Sequence, residues 1–159
     1  MRPEWRHDVA RLATVWLLAV AVEVAVGAVF VQYVGRAGSA VIAVLMNLLV
    51  CLRFAVTLLP GRVPLITRYA RSDAMGLPAD REGYTHALTA VWAALLGAFA
   101  LLHAGAIPDL WSSRAVALAQ AVVCPAFFLG EHWWRSRALP ELGRATPWRT
   151  LRAIRAAGG

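Results

Sequence analysis

Four apolar runs, interrupted by few polar positions, organise the chain. The first extends from Leu12 to Val34 with Glu23 as its one ionisable residue, and the second, after Gly35-Arg36-Ala37-Gly38, from Ser39 to Leu59, where Pro60-Gly61 stops it. The third, rich in Ala and Leu, covers about 86–107 and stops at Pro108-Asp109; the fourth covers about 113–134, contains Pro125 and ends in Trp133-Trp134-Arg135. A helix rising 1.5 Å per residue needs roughly 20 apolar residues to cross the hydrocarbon of a bilayer, and each run meets that length. The pattern predicts an all-α integral membrane protein, a four-transmembrane-helix bundle with spans at about 12–34, 39–59, 86–107 and 113–134, a central loop at 60–85 and a tail at 135–159. The first run is too long for a signal-peptide core and follows a segment mixing Glu4 and Asp8 with arginines, so it reads as an uncleaved span.

Two shorter segments carry apolar and basic stripes side by side. In 147–157, Trp148, Leu151 and Ile154 recur every three residues beside Arg149, Arg152 and Arg155, with Thr146 placed as N-cap and Pro147 at the first helical position. This predicts a basic amphipathic helix lying on the inner leaflet. In the central loop, Leu65, Ile66 and Tyr69 oppose Arg68 and Arg71 after Pro64, predicting a short interfacial helix. Membrane anchoring is favoured for both over docking of a soluble protein.

Composition closes off other classes. Of 159 residues, 60% are hydrophobic and 16% charged, and the mean hydropathy is +0.59; ordinary soluble domains have roughly 45–50% apolar and about 25% charged residues. A water-soluble enzyme is excluded, and residues 1–159 form a single membrane domain with no room for an extramembrane catalytic one. All basic residues are arginine, and the net charge is +7. Arg2, Arg6 and Arg11, then Arg62, Arg68, Arg71 and Arg81, then Arg135, Arg137, Arg144, Arg149, Arg152 and Arg155 face only Arg36 and Arg114 in the remaining connections. The positive-inside rule therefore puts both termini and the central loop in the cytoplasm, N-in/C-in, in a bacterial inner membrane. Anionic lipid is the expected partner and nucleic acid is not. Trp5, Trp133 and Trp134 on one side, and Tyr33 and Trp111 on the other, fit two aromatic belts. Cys51 and Cys124 lie in apolar runs without CxxC spacing and read as buried thiols.

Polar residues inside spans cost roughly 2.5–3.5 kcal/mol when charged, so they should face the bundle and find partners. Glu23, Asn47, Arg53, Gln120 and Glu131 are the candidates. Glu23, near mid-span, shares a face with the small Ala19 and Gly27 and reads first as an interhelical hydrogen bond, with a proton relay as the alternative. Arg53 lies six residues before Leu59, about 9 Å along the axis, and Glu131 at the matching end of the fourth span is its preferred partner. Gln120, Cys124 and Glu131 fall within about 40° of one another on that helix, beside the kink expected at Pro125. His7, His86, His103 and His132 read as solvated interfacial residues, since no third ligand accompanies the His86–His132 pair. No HExxH, CxxCH, phosphate loop, GxSxG or aspartate-rich motif occurs. No metal or cofactor is expected, and a catalytic reading would rest on Glu131, Arg53 and Glu23.

An ordered series is more specific than composition: Val44-Leu45-Met46-Asn47-Leu48-Leu49, Phe54, Thr57-Leu58, Pro60-Gly61-Arg62, Pro64-Leu65-Ile66-Thr67-Arg68, Ala70-Arg71, Leu77-Pro78, Tyr84-Thr85, Thr89, Val91-Trp92 and Gly130-Glu131. Over about 44–135 the chain resembles the family of small inner-membrane proteins associated with type II fatty-acid-synthase-like clusters, including those making aryl-polyene and xanthomonadin-type pigments. The resemblance implies a site built from Asn47, Thr57, Arg62, Arg68, Arg71, Tyr84, Thr89, Trp92 and Glu131, mostly at the cytoplasmic end of the bundle. His86 stands where family members tend to carry arginine. The ketosynthase label of some members does not transfer, because a thiolase-fold active site is absent. Acyl carriers are acidic, and a basic inner face would receive one by electrostatic steering.

Three functions follow as expectations. The leading one is an inner-membrane accessory protein without autonomous catalysis that anchors or hands over acyl or aryl-polyene intermediates, partnered by an acyl carrier protein or soluble synthase. The alternatives are a small integral-membrane acyl- or lipid-transfer enzyme using Glu131 and Arg53, and a transporter or flippase component, for which homo-oligomerisation would be required.

Overall fold

Gly35 is the one point between Glu4 and Val56 where the backbone leaves helical geometry, with φ 74° and ψ 172°, a conformation that glycine enters at little cost. The computed structural model describes residues 4–73, 76–140, 143 and 145–158, with side chains from residue 14 onward except at 15, 16, 19, 23, 30, 36 and 158. Helix α1 (Glu4–Val56) is thus a single 53-residue element broken at one residue. The turn expected over 35–38 contracts to Gly35, with helical geometry resuming from Arg36.

After α1 come α2 (Leu65–Arg71), a 3-10 turn (Ala79–Arg81) that runs into α3 (Glu82–Gly105), α4 (Ser113–Ala138) and α5 (Pro147–Gly158). Among the described residues there is no strand. Among the described residues three helices are long and apolar enough to cross a membrane: Ala37–Val56 within α1, Ala79–Gly105, and Ser113–Ala138; the stretch Val20–Gly35 is apolar but shorter. The chain is an all-helical membrane protein by this measure.

Helix α1 packs along both α3 and α4, most extensively along α3. Small residues make the approach close: Ala40 on α1 and Ala93 and Ala100 on α3 are buried, and the Cys51 thiol donates to the Ala93 carbonyl at 3.2 Å. A Cβ built on Gly97 would stand 3.4 Å from Cys51 Sγ. Such spacing is how helices associate where the lipid offers no hydrophobic driving force. One layer further along, Trp92 of α3 lies between Phe54 of α1, at 6.5 Å, and Phe127 of α4, at 5.0 Å and edge-on. This aromatic layer ties the three long helices together.

The ends are capped locally. Ser112 accepts from the Ala115 N–H at 3.3 Å and starts α4. Trp111 folds back over Gly105, where a Cβ would collide with its ring, and its indole N–H bonds the Leu102 carbonyl at 2.6 Å. Thr146 caps α5 through the Arg149 N–H at 3.2 Å, with Pro147 first in the helix as the sequence predicts. The expected interfacial helix of the central loop forms as α2, but it does not lie free on a surface: Leu65 and Thr67 are buried, and the helix packs against α3 and α5.

The Gly97 seam gives a graded test. Gly97→Ala adds a Cβ at ordinary contact distance and is expected to leave the thermal midpoint in detergent nearly unchanged. Gly97→Leu overpacks the α1–α3 contact and is expected to cost about 1–3 kcal/mol, seen as a lower midpoint of helix loss by circular dichroism.

Candidate functional site

A helix that starts inside a protein brings orphan N–H groups with it. Pro64, just before α2, has no N–H to orphan, and no side chain of its own neighbourhood caps the helix. Threonines from two other elements do so. The Leu65 N–H donates to Thr57 Oγ1 at 3.0 Å, while Thr57 gives its own proton to the Phe54 carbonyl at 2.7 Å. The Ile66 N–H donates to Thr89 Oγ1 at 3.3 Å, and Thr89 donates to the Thr85 carbonyl at 2.8 Å. Thr67 and Thr85 meet at 2.7 Å; because Thr85 spends its proton on the Glu82 carbonyl at 3.0 Å, Thr67 is the donor. Every hydroxyl proton in the set is used once. Outside this buried lock, Arg62 and Arg68 are exposed. Arg68 lies 5.8 Å from the Tyr69 ring centroid, and Arg71 pairs with Glu82 at 2.5 Å.

Beside α2, Glu131 of α4 is held by three groups. Its Oε1 accepts the Tyr84 hydroxyl at 3.1 Å and faces Arg135 Nε at 3.4 Å; its Oε2 is 2.9 Å from His132 Nδ1. His132 Nδ1 is also 2.7 Å from the Phe128 carbonyl. Both neighbours of Nδ1 only accept, so Nδ1 carries a proton, and Nε2 lies 2.8 Å from the Thr150 hydroxyl of α5. A second tie reaches α5 from the end of α2, where Arg149 Nε meets Asp73 at 2.7 and 2.8 Å. Ser136 completes it by donating to the His132 carbonyl and accepting the Ala145 N–H at 2.9 Å. The cavity among Asp73, Tyr84, Arg135 and Arg149 measures about 20 Å³, which is room for one water and not for a substrate.

A separate polar group lies deeper in the bundle. Asn47 and Gln120 exchange amide hydrogen bonds at 3.3 and 3.1 Å, Asn47 also donates to the Ala43 carbonyl at 2.9 Å, and His103 Nε2 meets Gln120 Oε1 at 2.9 Å. These three line a mostly apolar groove of about 1710 Å³ between α1, α3, α4 and the connection before α4.

The structure therefore divides the expected site. Thr57, Arg62, Arg68, Arg71, Tyr84, Thr89 and Glu131 gather at one end, Trp92 forms the aromatic layer next to them, and Asn47 belongs to the other group. The preferred Arg53–Glu131 pair does not form. Arg53 is exposed, facing away from the bundle, and Glu131 takes its arginine one turn along its own helix. Two histidines expected in solvent are buried, His103 and His132, because Gln120 and Thr150 meet their ring nitrogens; His86 is exposed as expected. The Glu23 side chain, like Trp5 and Arg36, lies outside the described residues. His132, Thr150, Asp73, Arg149 and Thr67 were not foreseen. The four-residue spacing of Thr85 and Thr89 on an apolar helix was the available signal for the lock, whereas the α5 ties join residues 18 and 76 positions apart. Among the described residues, no group of three or more His, Cys, Asp or Glu side chains stands close enough to hold a metal ion.

Thr89→Val keeps shape and removes the acceptor for Ile66, leaving a buried N–H unpaired. It is expected to cost about 1–3 kcal/mol and to speed amide exchange in 65–71 over that of α3, measured by hydrogen–deuterium exchange.

No protein-family model, curated protein or solved structure matches the chain, and the side-chain geometry is what bears on function.

Proposed function

We propose that the protein is a four-span, N-in/C-in accessory protein of the bacterial inner membrane that serves an acyl or aryl-polyene-type lipid pathway without catalysing a step itself. Its cytoplasmic face docks acidic soluble carriers or synthases and anchors or hands over their intermediates. The observation that carries this reading is the α2 lock: Thr57 and the buried Thr89 hold the start of a seven-residue helix in place while Arg62 and Arg68 are exposed. A fixed cationic platform gives an acidic partner both steering and register. The fourth span is the 12–34 run, and the arginine distribution supplies the orientation. The ordered series from Val44 to Glu131 supports the pathway.

Helix α5 fits the same placement. Trp148, Leu151 and Ile154 are exposed, and the Thr150–His132 bond sets α5 at the height of Trp133 and Trp134, both exposed on α4. Arg137 stacks on Trp133 at 4.0 Å. These tryptophans form the inner aromatic belt, with Arg152 and Arg155 turned to anionic headgroups. The enzyme reading is disfavoured, since Glu131 is enclosed by Tyr84, His132 and Arg135 and has no substrate-sized space beside it.

Purified full-length protein in nanodiscs is expected to bind acyl carrier protein at low ionic strength and to lose that binding in high salt. Arg62→Ala combined with Arg68→Ala is expected to weaken binding about tenfold or more, while Arg53→Ala leaves both binding and pathway output unchanged. Salt-insensitive binding, or none, removes the docking role; lost output from stably inserted Glu131→Gln with docking intact would restore the enzyme reading.

A further inference from the structure

Helix α5 has little of its own to hold it in shape. It is 12 residues long, at the lower edge of what stays helical alone in water, and of its described residues only Ala153 is buried. Trp148 is 72% exposed, and Leu151 and Ile154 are exposed as well. Yet two side chains tie it to other elements: Arg149 meets both oxygens of Asp73 at 2.7 and 2.8 Å, and Thr150 meets His132 Nε2 at 2.8 Å.

The two sides of the helix have different surroundings. Arg149, Thr150 and Ala153 share the side toward the protein, where α5 packs against α2 more than against any other element. At 100° per residue, Trp148, Leu151, Arg152 and Arg155 share the other side, and all four are exposed. Residues 147–158 contain three arginines and no acid; Asp73 takes Arg149, so the charge that remains outward is positive. The exposed residues of α4 show what lies next to it. They include Leu118, Val122 and Val123 and then Trp133 and Trp134, near the end of a helix apolar enough to span. The His132 bond, beside those tryptophans, keeps α5 at the level where hydrocarbon gives way to headgroups. Its apolar side chains fit any leaflet there, and Arg152 and Arg155 select an anionic one.

The tie to Asp73 carries this to α2. Thr57 and Thr89 hold the first N–H groups of that helix, whereas its other end is held by the exposed Arg71–Glu82 pair and through Asp73. Asp73 follows the Ser72 cap directly, and its N–H bonds the Ala70 carbonyl at 3.3 Å. An unfolded tail has no sides, so forming α5 is what lets Arg149 reach Asp73 while Arg152 and Arg155 reach headgroups. The ordering cost is then shared by the leaflet contact and the α2 contact, and either one favours the other.

We propose that α5 is a strap closed by an anionic leaflet, and that its closure, through Arg149 and Asp73, orders the Arg68-bearing end of α2. The strap rests on this geometry; its consequence, a carrier platform tuned by lipid charge, rests on the docking function.

The test is hydrogen–deuterium exchange of the full-length protein in nanodiscs of pure phosphatidylcholine or of an equal mixture with phosphatidylglycerol, with no carrier present and α3 as the internal control for the fold. The anionic leaflet is expected to slow exchange about tenfold in 147–157 and in 68–73 together, since each arginine at such a surface contributes about fivefold. Arg152→Gln combined with Arg155→Gln is expected to make the two bilayers equal at both segments. Arg149→Met leaves the outer side whole and cuts the tie, so 147–157 still responds to phosphatidylglycerol while 68–73 stops responding. Equal exchange in both bilayers for the wild-type protein overturns the strap. So does slowing confined to 147–157, the mark of an anchor alone, or a response of 68–73 that survives in Arg149→Met, the mark of lipid acting on α2 directly. A platform that never binds carrier leaves these readouts unchanged, so the docking function fails separately.

Discussion

The buried N-terminus of α2 is the constraint on which this end of the bundle depends. Its first N–H groups point into protein, where no water meets them, and in an apolar surrounding an unmet N–H costs several kcal/mol. Thr57 and Thr89 accept them, and in doing so they fix where α2 sits relative to α1 and α3. That placement carries Asp73 to Arg149 and so positions α5. A local cap could satisfy the same donors without recording the position of any other helix. Distant threonines make the cap a tertiary contact, and the helix is ordered only when the bundle is.

Glu131 plays the corresponding part for α4. A carboxylate this enclosed is retained only with compensating groups around it: it accepts from Tyr84 of α3, lies 2.9 Å from His132 Nδ1 and has the Arg135 guanidinium beside it at 3.4 Å, the last two on its own helix. His132 then passes the arrangement to α5 through Thr150. Three elements are joined by one acid and its neighbours, and the conformational freedom of each partner is spent in the process. A catalytic carboxylate needs an open side facing its substrate; Glu131 has a cavity of about 20 Å³ nearby.

Much of this was legible in the sequence, and the failures have physical causes. Three of the four apolar runs correspond to helices long and apolar enough to cross a membrane, and the α5 start followed from Thr146-Pro147, because caps depend on adjacent residues alone. The structure brings Thr57, Thr89, Tyr84 and Glu131, which the family resemblance groups, to one end of the bundle. Pairing was the weak step. Arg53 and Glu131 have compatible depths, but depth along an axis does not fix rotation about it, and Arg53 faces outward. The same limit hid His132–Thr150: the partner lies on a helix whose docking direction no local pattern encodes. The turn at 35–38 is shorter than a glycine-arginine-alanine-glycine sequence suggests, because one glycine with positive φ is enough to kink the chain between two helical segments.

The separation of the two polar groups bears on how anything could pass through the protein. Between the threonine lock and the Asn47–Gln120–His103 trio lie the contacting rings of Phe54, Trp92 and Phe127, one from each of the three packed helices, with Cys51 spending its thiol proton on the Ala93 carbonyl. A proton or ion moving along the bundle needs hydrogen-bonding groups within a few Å of one another, and this layer interrupts them. A hydrocarbon chain has the opposite requirement and loses nothing against aromatic and aliphatic walls. Within the described residues the aromatic layer thus separates the two hydrogen-bonded groups, and each of them makes its hydrogen bonds on its own side of it.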